Sequence, residues 1–105
     1  MQIEDMKQLI SSNDALLIYF SGENCGVCKA LMPKIKSSFE LNFPKIRQEF
    51  ISASDYPEIA AYFSIFTVPS ILIYFDGKET RRESRHISVE NLIQNTKRPY
   101  GLYFD

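Results

Sequence analysis

The apolar positions of this chain fall into helical stripes and unbroken runs. Ile3, Met6, Leu9 and Ile10 recur at helical spacing and stop at Asn13 and Asp14, which predicts a short amphipathic helix. Ala15 to Phe20 then runs apolar without alternation, the mark of a central strand buried on both faces in a helix-covered sheet. Ser21-Gly22-Glu23-Asn24 turns the chain out of it. From Cys25 to about Leu41, Val27, Leu31, Ile35 and Phe39 recur at steps of four, a helix with Pro33 inside it. Proline lacks the N–H and clashes with the carbonyl one turn back, so a kink is expected near Lys29. Ile46 to Ala53 alternates weakly and reads as a strand nearer an edge. Ser54 and Asp55 offer caps for a helix with Pro57 in its first turn and Ile59, Tyr62 and Phe63 on its inner face.

Thr67-Val68-Pro69 interrupts the pattern before a second wholly apolar run, Ile71 to Phe75. Asp76-Gly77 is a type I′ hairpin signal, and the returning strand, Lys78 to Ile87, is dominated by charge, as a protected edge strand is. Ser88 caps a last helix bearing Val89, Leu92 and Ile93, expected to end before Pro99. Residues 98–105 form an aromatic tail in which Tyr100, Tyr103 and Phe104 must cover something: the last helix, the sheet's edge, a partner or a second copy. The order α, β, α, β, α, β, β, α defines an α/β fold, a mixed four-stranded sheet flanked by helices with the two all-apolar strands in the middle. Its 105 residues suit a single domain.

Composition narrows the function classes. With 45% apolar and 24% charged residues the chain can bury a core and is not a disordered segment. Twelve basic against thirteen acidic residues, with no basic run longer than two, argue against nucleic acid as a partner. The longest apolar blocks fall far short of the ~20 residues a spanning helix needs, which argues against a membrane. Glu4 and Asp5 interrupt the N-terminus where a secretory signal would carry its apolar core, so a cytoplasmic protein is expected. Two cysteines are too few for a disulfide-stapled scaffold, so their role must come from their spacing.

That spacing is Cys25-Gly26-Val27-Cys28, placed where a buried strand hands over to a helix. The first N–H groups of a helix have no intrahelical partner, and the helix dipole is positive there, so a thiolate at Cys25 is stabilised and becomes the nucleophile. Cys28, one turn on, lies on the same face and can resolve a mixed disulfide by attacking Cys25. Gly26 keeps the first turn open to a partner's sulfur. Two other readings stand beside this one: a pair of structural thiols, and half of a zinc site. The zinc site would require a dimer, because the chain offers two Cys and one His against four ligands.

Phe20 with a four-residue turn, then Cys25-Gly26-Val27-Cys28-Lys29, then Pro33, then Thr67-Val68-Pro69-Ser70 before an apolar strand and Asp76-Gly77, resembles the thioredoxin family from Ala15 to Leu92. The resemblance implies a thioredoxin fold lacking the usual first strand, protein-disulfide oxidoreduction without a bound cofactor, and a cis peptide at Val68-Pro69 facing the cysteines. It also implies substrate contacts at Asn24, Gly26, Val27, Thr67, Val68 and Pro69. The partners it implies are disulfide-bearing proteins and a thioredoxin reductase or other dithiol recycling system; the chain itself is expected to be a monomer, with self-association through the tail as the alternative. Departures from the family pattern are equally specific. Asn24 stands where a tryptophan is usual and Val27 where a proline is usual. Tyr19 and Phe50 replace the buried acid and its companion lysine, leaving the family's proton route to Cys28 without its usual residues. Arg85 falls at the glycine expected in the substrate groove. The alternative function is a binding module that grips a partner through the groove and the aromatic tail.

The remaining candidates have plainer readings. Tyr19 sits among apolar neighbours and reads as core with a satisfied hydroxyl rather than a proton relay. Lys29 reads as a solvated helix residue and His86 as a surface strand residue. Arg81, Arg82 and Arg85 could meet an acidic partner, but charge of this kind is the usual dressing of an edge strand.

Overall fold

The computed structural model describes residues 1–104. Its elements, in chain order, are α1 (Ile3–Ser12), β1 (Ala15–Ser21), α2 (Gly26–Asn42), β2 (Arg47–Ser52), α3 (Pro57–Tyr62), β3 (Ser70–Phe75), β4 (Lys78–Ser84) and α4 (Val89–Phe104). The sheet order is β2-β1-β3-β4, with β1 and β2 parallel and the other two pairs antiparallel. The two apolar runs are therefore the central strands, and the weakly alternating and charged segments are the edges, as expected.

Side chains alternate across a strand, so an apolar run must serve two cores at once. On one face Leu17, Tyr19, Ile71 and Ile73 pack against Leu31, Ile35 and Phe39 of α2 and Leu92 of α4. On the other, Leu16, Ile18, Phe20 and Leu72 pack against Met6 of α1 and Ile59, Ala60 and Phe63. Asp76 and Gly77 both adopt positive φ, 54° and 76°, as a type I′ turn requires.

The structure corrects several local expectations. Val27 is 62% exposed, and the inner stripe of α2 starts instead at Cys28, three residues before Leu31. The helix α3 has Tyr56 as its N-cap, with no side-chain bond, because the Ser54 hydroxyl is already taken by the Glu23 N–H at 2.8 Å. Tyr62 is exposed and Ala60 takes its place on the inner face. The strand β4 stops at Ser84, short of Ile87.

The largest correction is α4, which does not end before Pro99 but runs through it to Phe104, so residues 98–104 are helix rather than tail. Tyr100 stacks on Phe43 with centroids 5.0 Å apart and on Phe104 at 4.8 Å, and its hydroxyl accepts the Lys45 N–H at 3.2 Å. This packing on the turn beyond Pro99 offsets the one backbone bond that proline removes. Tyr103 packs on Phe75, with centroids 5.9 Å apart. Asp105 lies outside the described residues.

Candidate functional site

Everything at the dithiol hangs on the end of β1. The strand delivers the chain into a short turn in which Asn24 adopts φ +55°, a left-handed conformation that asparagine tolerates better than most residues. Cys25 then caps α2: its Sγ accepts the Cys28 N–H at 3.2 Å, filling a donor that the helix leaves unpaired. The two cysteines are joined by a disulfide with Cα atoms 5.2 Å apart. Cys28 is 2% exposed, whereas Cys25 is partly open to solvent.

Beneath the pair, the Tyr19 hydroxyl donates to the Cys28 carbonyl at 2.8 Å. Tyr19 is fully buried, and burial pushes its phenol up to about 12. It therefore stays protonated at neutral pH and acts as a fixed donor that ties the first turn of α2 to the sheet, in agreement with the plainer sequence reading.

The opposite wall comes from the segment entering β3. Val68-Pro69 is a cis peptide. Val68 rests against the turn leaving β1, where Gly22 is needed: a Cβ there would lie 2.8 Å from Val68 Cγ2. Pro69 in turn accepts the Arg85 N–H at its carbonyl, 3.0 Å away. Between these walls lies an open groove of about 420 Å3 lined by Asn24, Cys25, Gly26, Val27, Val68 and Pro69, with Arg85 and His86 completing it.

Of the two cysteines only Cys25 lines that groove, and of the predicted substrate-contact residues all but Thr67 do. Thr67 borders a separate hollow with Phe66, and its carbonyl accepts the Ser70 hydroxyl at 2.7 Å. Two groove residues were read from sequence as edge-strand decoration. Arg85 and His86 follow the end of β4, and the pairing of β4 with β3 carries them beside Pro69. The one signal for Arg85 was its offset from the apolar strand, which placed it where a groove glycine is expected. It adopts φ +64°, a conformation that favours glycine. The neighbouring arginines are engaged elsewhere: Arg81 with Glu83 at 2.8 Å, and Arg82 with Glu79 and the Phe63 carbonyl at 2.9 Å. The Arg82 hydrogen bond holds the Glu79 carboxyl below its ordinary range. Among the described residues no three His, Cys, Asp or Glu side chains gather as a metal site, and no helix is long and apolar enough to cross a membrane.

A vicinal cysteine pair at the first turn of a helix, facing a cis-proline across an open groove, is the architecture of a dithiol that exchanges with disulfides. The sequence profile of the thioredoxin family matches residues 2–98, and the chain belongs to that family. It is 39% identical over 98 residues to the thioredoxin-like protein YdfQ of Bacillus subtilis (strain 168), an alignment covering 93% of this chain and 87% of that one. Two solved structures are similar throughout. A thioredoxin-like protein from Bacillus cereus ATCC 10987 is 32% identical with a TM-score of 0.68, covering 88% of this chain and 95% of its own. Thioredoxin 1 from Thermosipho africanus TCF52B is 31% identical with a TM-score of 0.76, covering 86% and 99%. The fold is thus the thioredoxin fold. Family and dithiol together support thiol-disulfide oxidoreductase activity in general, with disulfide-bearing proteins as substrates and a reductase to recycle the dithiol.

Proposed function

We propose that this protein reduces or exchanges protein disulfides in the cytoplasm, with Cys25 as the attacking thiolate and Cys28 as the resolving thiol. The supporting observation is the asymmetry of the pair. Cys25 faces the groove and its sulfur receives a helix N-terminal N–H, while Cys28 is sealed beneath it. The Cys25 thiolate attacks one sulfur of the substrate disulfide, forming a Cys25–substrate bond and releasing the other sulfur as a thiolate that takes up a proton. Cys28 loses its proton and attacks Cys25, forming the Cys25–Cys28 disulfide and releasing the second substrate thiol. The substrate gains two electrons and two protons, and an external dithiol returns them to the protein. Asn24, Gly26, Val27, Val68 and Pro69 contact the substrate chain along the groove, and Thr67 acts indirectly, its carbonyl accepting the Ser70 hydroxyl across the turn that carries Pro69. The alternative, a binding module gripping through the tail, loses much of its surface because Tyr100 and Phe104 pack against the protein's own core.

The roles separate in the cysteine variants. Cys28→Ser removes resolution and leaves attack, so it should accumulate covalent adducts with proteins in an acid-quenched lysate, dissolved by a reductant. Cys25→Ser should accumulate few. Equal trapping by both variants, or by neither, would refute the assignment.

A further inference from the structure

Among the described residues that line the groove beside Cys25 none is acidic, whereas Arg85 and His86 are both on its wall. Arg85, like Arg98, has no carboxylate within ion-pair distance among the described residues, whereas Arg47, Arg81 and Arg82 each have one. Nor is its position loose. Its N–H donates to the Pro69 carbonyl at 3.0 Å and its own carbonyl accepts the Ile87 N–H at 3.0 Å, fixing the backbone in a glycine-like conformation while carrying a long cation. Arg85 and His86 also border a second hollow of about 400 Å3 that reaches Leu31, and with Val27 they form the ridge between it and the groove.

We propose that Arg85, with His86 beside it, reads a carboxylate next to the attacked cysteine, so that the preferred substrates are protein disulfides set in acidic segments. The inference rests on the reading that Cys25 attacks protein disulfides. A guanidinium presents a planar fork of donors that a carboxylate meets with two hydrogen bonds, and an unpaired one gives up no existing partner to do so. The attacking sulfur is anionic and repels an acidic segment; a cation on the same groove reverses that bias and repels a basic segment instead. With 12 basic and 13 acidic residues the whole chain has no strong field, so the selection is local to the ridge.

Three disulfide-linked peptides, identical except for Glu, Gln or Lys flanking the attacked cysteine, test this. The kcat/KM of the native protein should favour Glu over Gln by about fivefold, a ratio that collapses in salt of about 1 M, where charge is screened within about 3 Å. Arg85→Gly, which suits the backbone at φ +64°, should abolish the Glu-to-Gln ratio, and Arg85→Glu should turn the preference to Lys. Equal rates on Glu and Gln peptides, or a ratio unchanged in Arg85→Gly, would overturn the inference while leaving disulfide exchange standing. No turnover of any of the three peptides would refute the exchange reading and the inference with it.

Discussion

Removing one oxygen atom from the core tests how the sheet holds the dithiol. Tyr19→Phe keeps the ring, which is fully buried and tilted against Phe50 with centroids 5.8 Å apart, and deletes the hydroxyl that donates to the Cys28 carbonyl at 2.8 Å. A buried hydrogen bond of this kind contributes a net stability of about 1 kcal/mol. At pH 7 the variant should unfold in urea with that deficit, and its Tm should fall by roughly 4 °C. At high pH the order should reverse. Burial pushes the Tyr19 phenol up to about 12 from 10.0, so between these values the unfolded chain has lost a proton that the folded chain keeps. The unfolded state then binds fewer protons, and stability falls by up to about 1.4 kcal/mol per pH unit on account of this one side chain. Phenylalanine has no such loss, so the two stability curves should cross at about pH 10.5 to 11. Tyr74, also pushed up to about 12 by burial, is common to both proteins and leaves the crossing in place. Working in a Cys25→Ser, Cys28→Ser background removes thiol titration and alkaline loss of the disulfide. Equal stability at pH 7 would show that the hydroxyl holds nothing. Parallel curves through pH 11 would show that it ionises as readily folded as unfolded.

Two further substitutions separate the groove from the scaffold. Gly22→Ala places a methyl 2.8 Å from Val68 Cγ2, and a β-branched neighbour cannot rotate away freely. It should cost about 1–3 kcal/mol in urea unfolding and lower the rate of disulfide exchange by displacing the groove wall; a variant unchanged in both would show that Val68 yields without cost. Tyr100→Ala strips the contacts with Phe43 and Phe104, close to the C-terminal end of α2 and about 25 Å along that helix from Cys25. It should destabilise by about 2 kcal/mol while leaving exchange with a small-molecule disulfide unchanged, and full stability in calorimetry would return the aromatic segment to the status of a free tail.

What the sequence made legible was whatever the chain settles locally. An apolar run such as Ala15 to Phe20 has few places to go other than the middle of a covered sheet, and Cys25 to Cys28 at a strand-to-helix junction has few chemistries. What it concealed was settled by distant partners. Ser54 looks like a cap until Glu23, 31 residues away in sequence, takes its hydroxyl. Pro99 looks like a stop until Tyr100 and Phe104 find Phe43 and the core. Val27 and Cys28 are both acceptable neighbours of Leu31, at steps of four and three, and only the burial of the sulfur under the sheet decides between them. Arg85 and His86 lie in a charged stretch whose local meaning is edge protection; the register of β4 on β3 makes them groove residues.

The same placement couples substrate choice to the dithiol's poise. A dithiol-disulfide couple becomes more oxidising when its reduced form is stabilised, by about 30 mV for each 1.4 kcal/mol. At Cys25 the reduced form is favoured by the Cys28 N–H and by the positive end of α2, a contribution of about 0.3–1 kcal/mol where exposed. A cation at Arg85, which lines the same groove without a carboxylate partner among the described residues, would act in the same direction on a Cys25 thiolate. An acidic substrate that pairs with Arg85 would withdraw part of that support on encounter, and the charge it supported is gone once the mixed disulfide forms. On this proposal the cation would favour the thiolate before encounter and the substrate after it. A glycine at position 85 would relieve the backbone but could do neither.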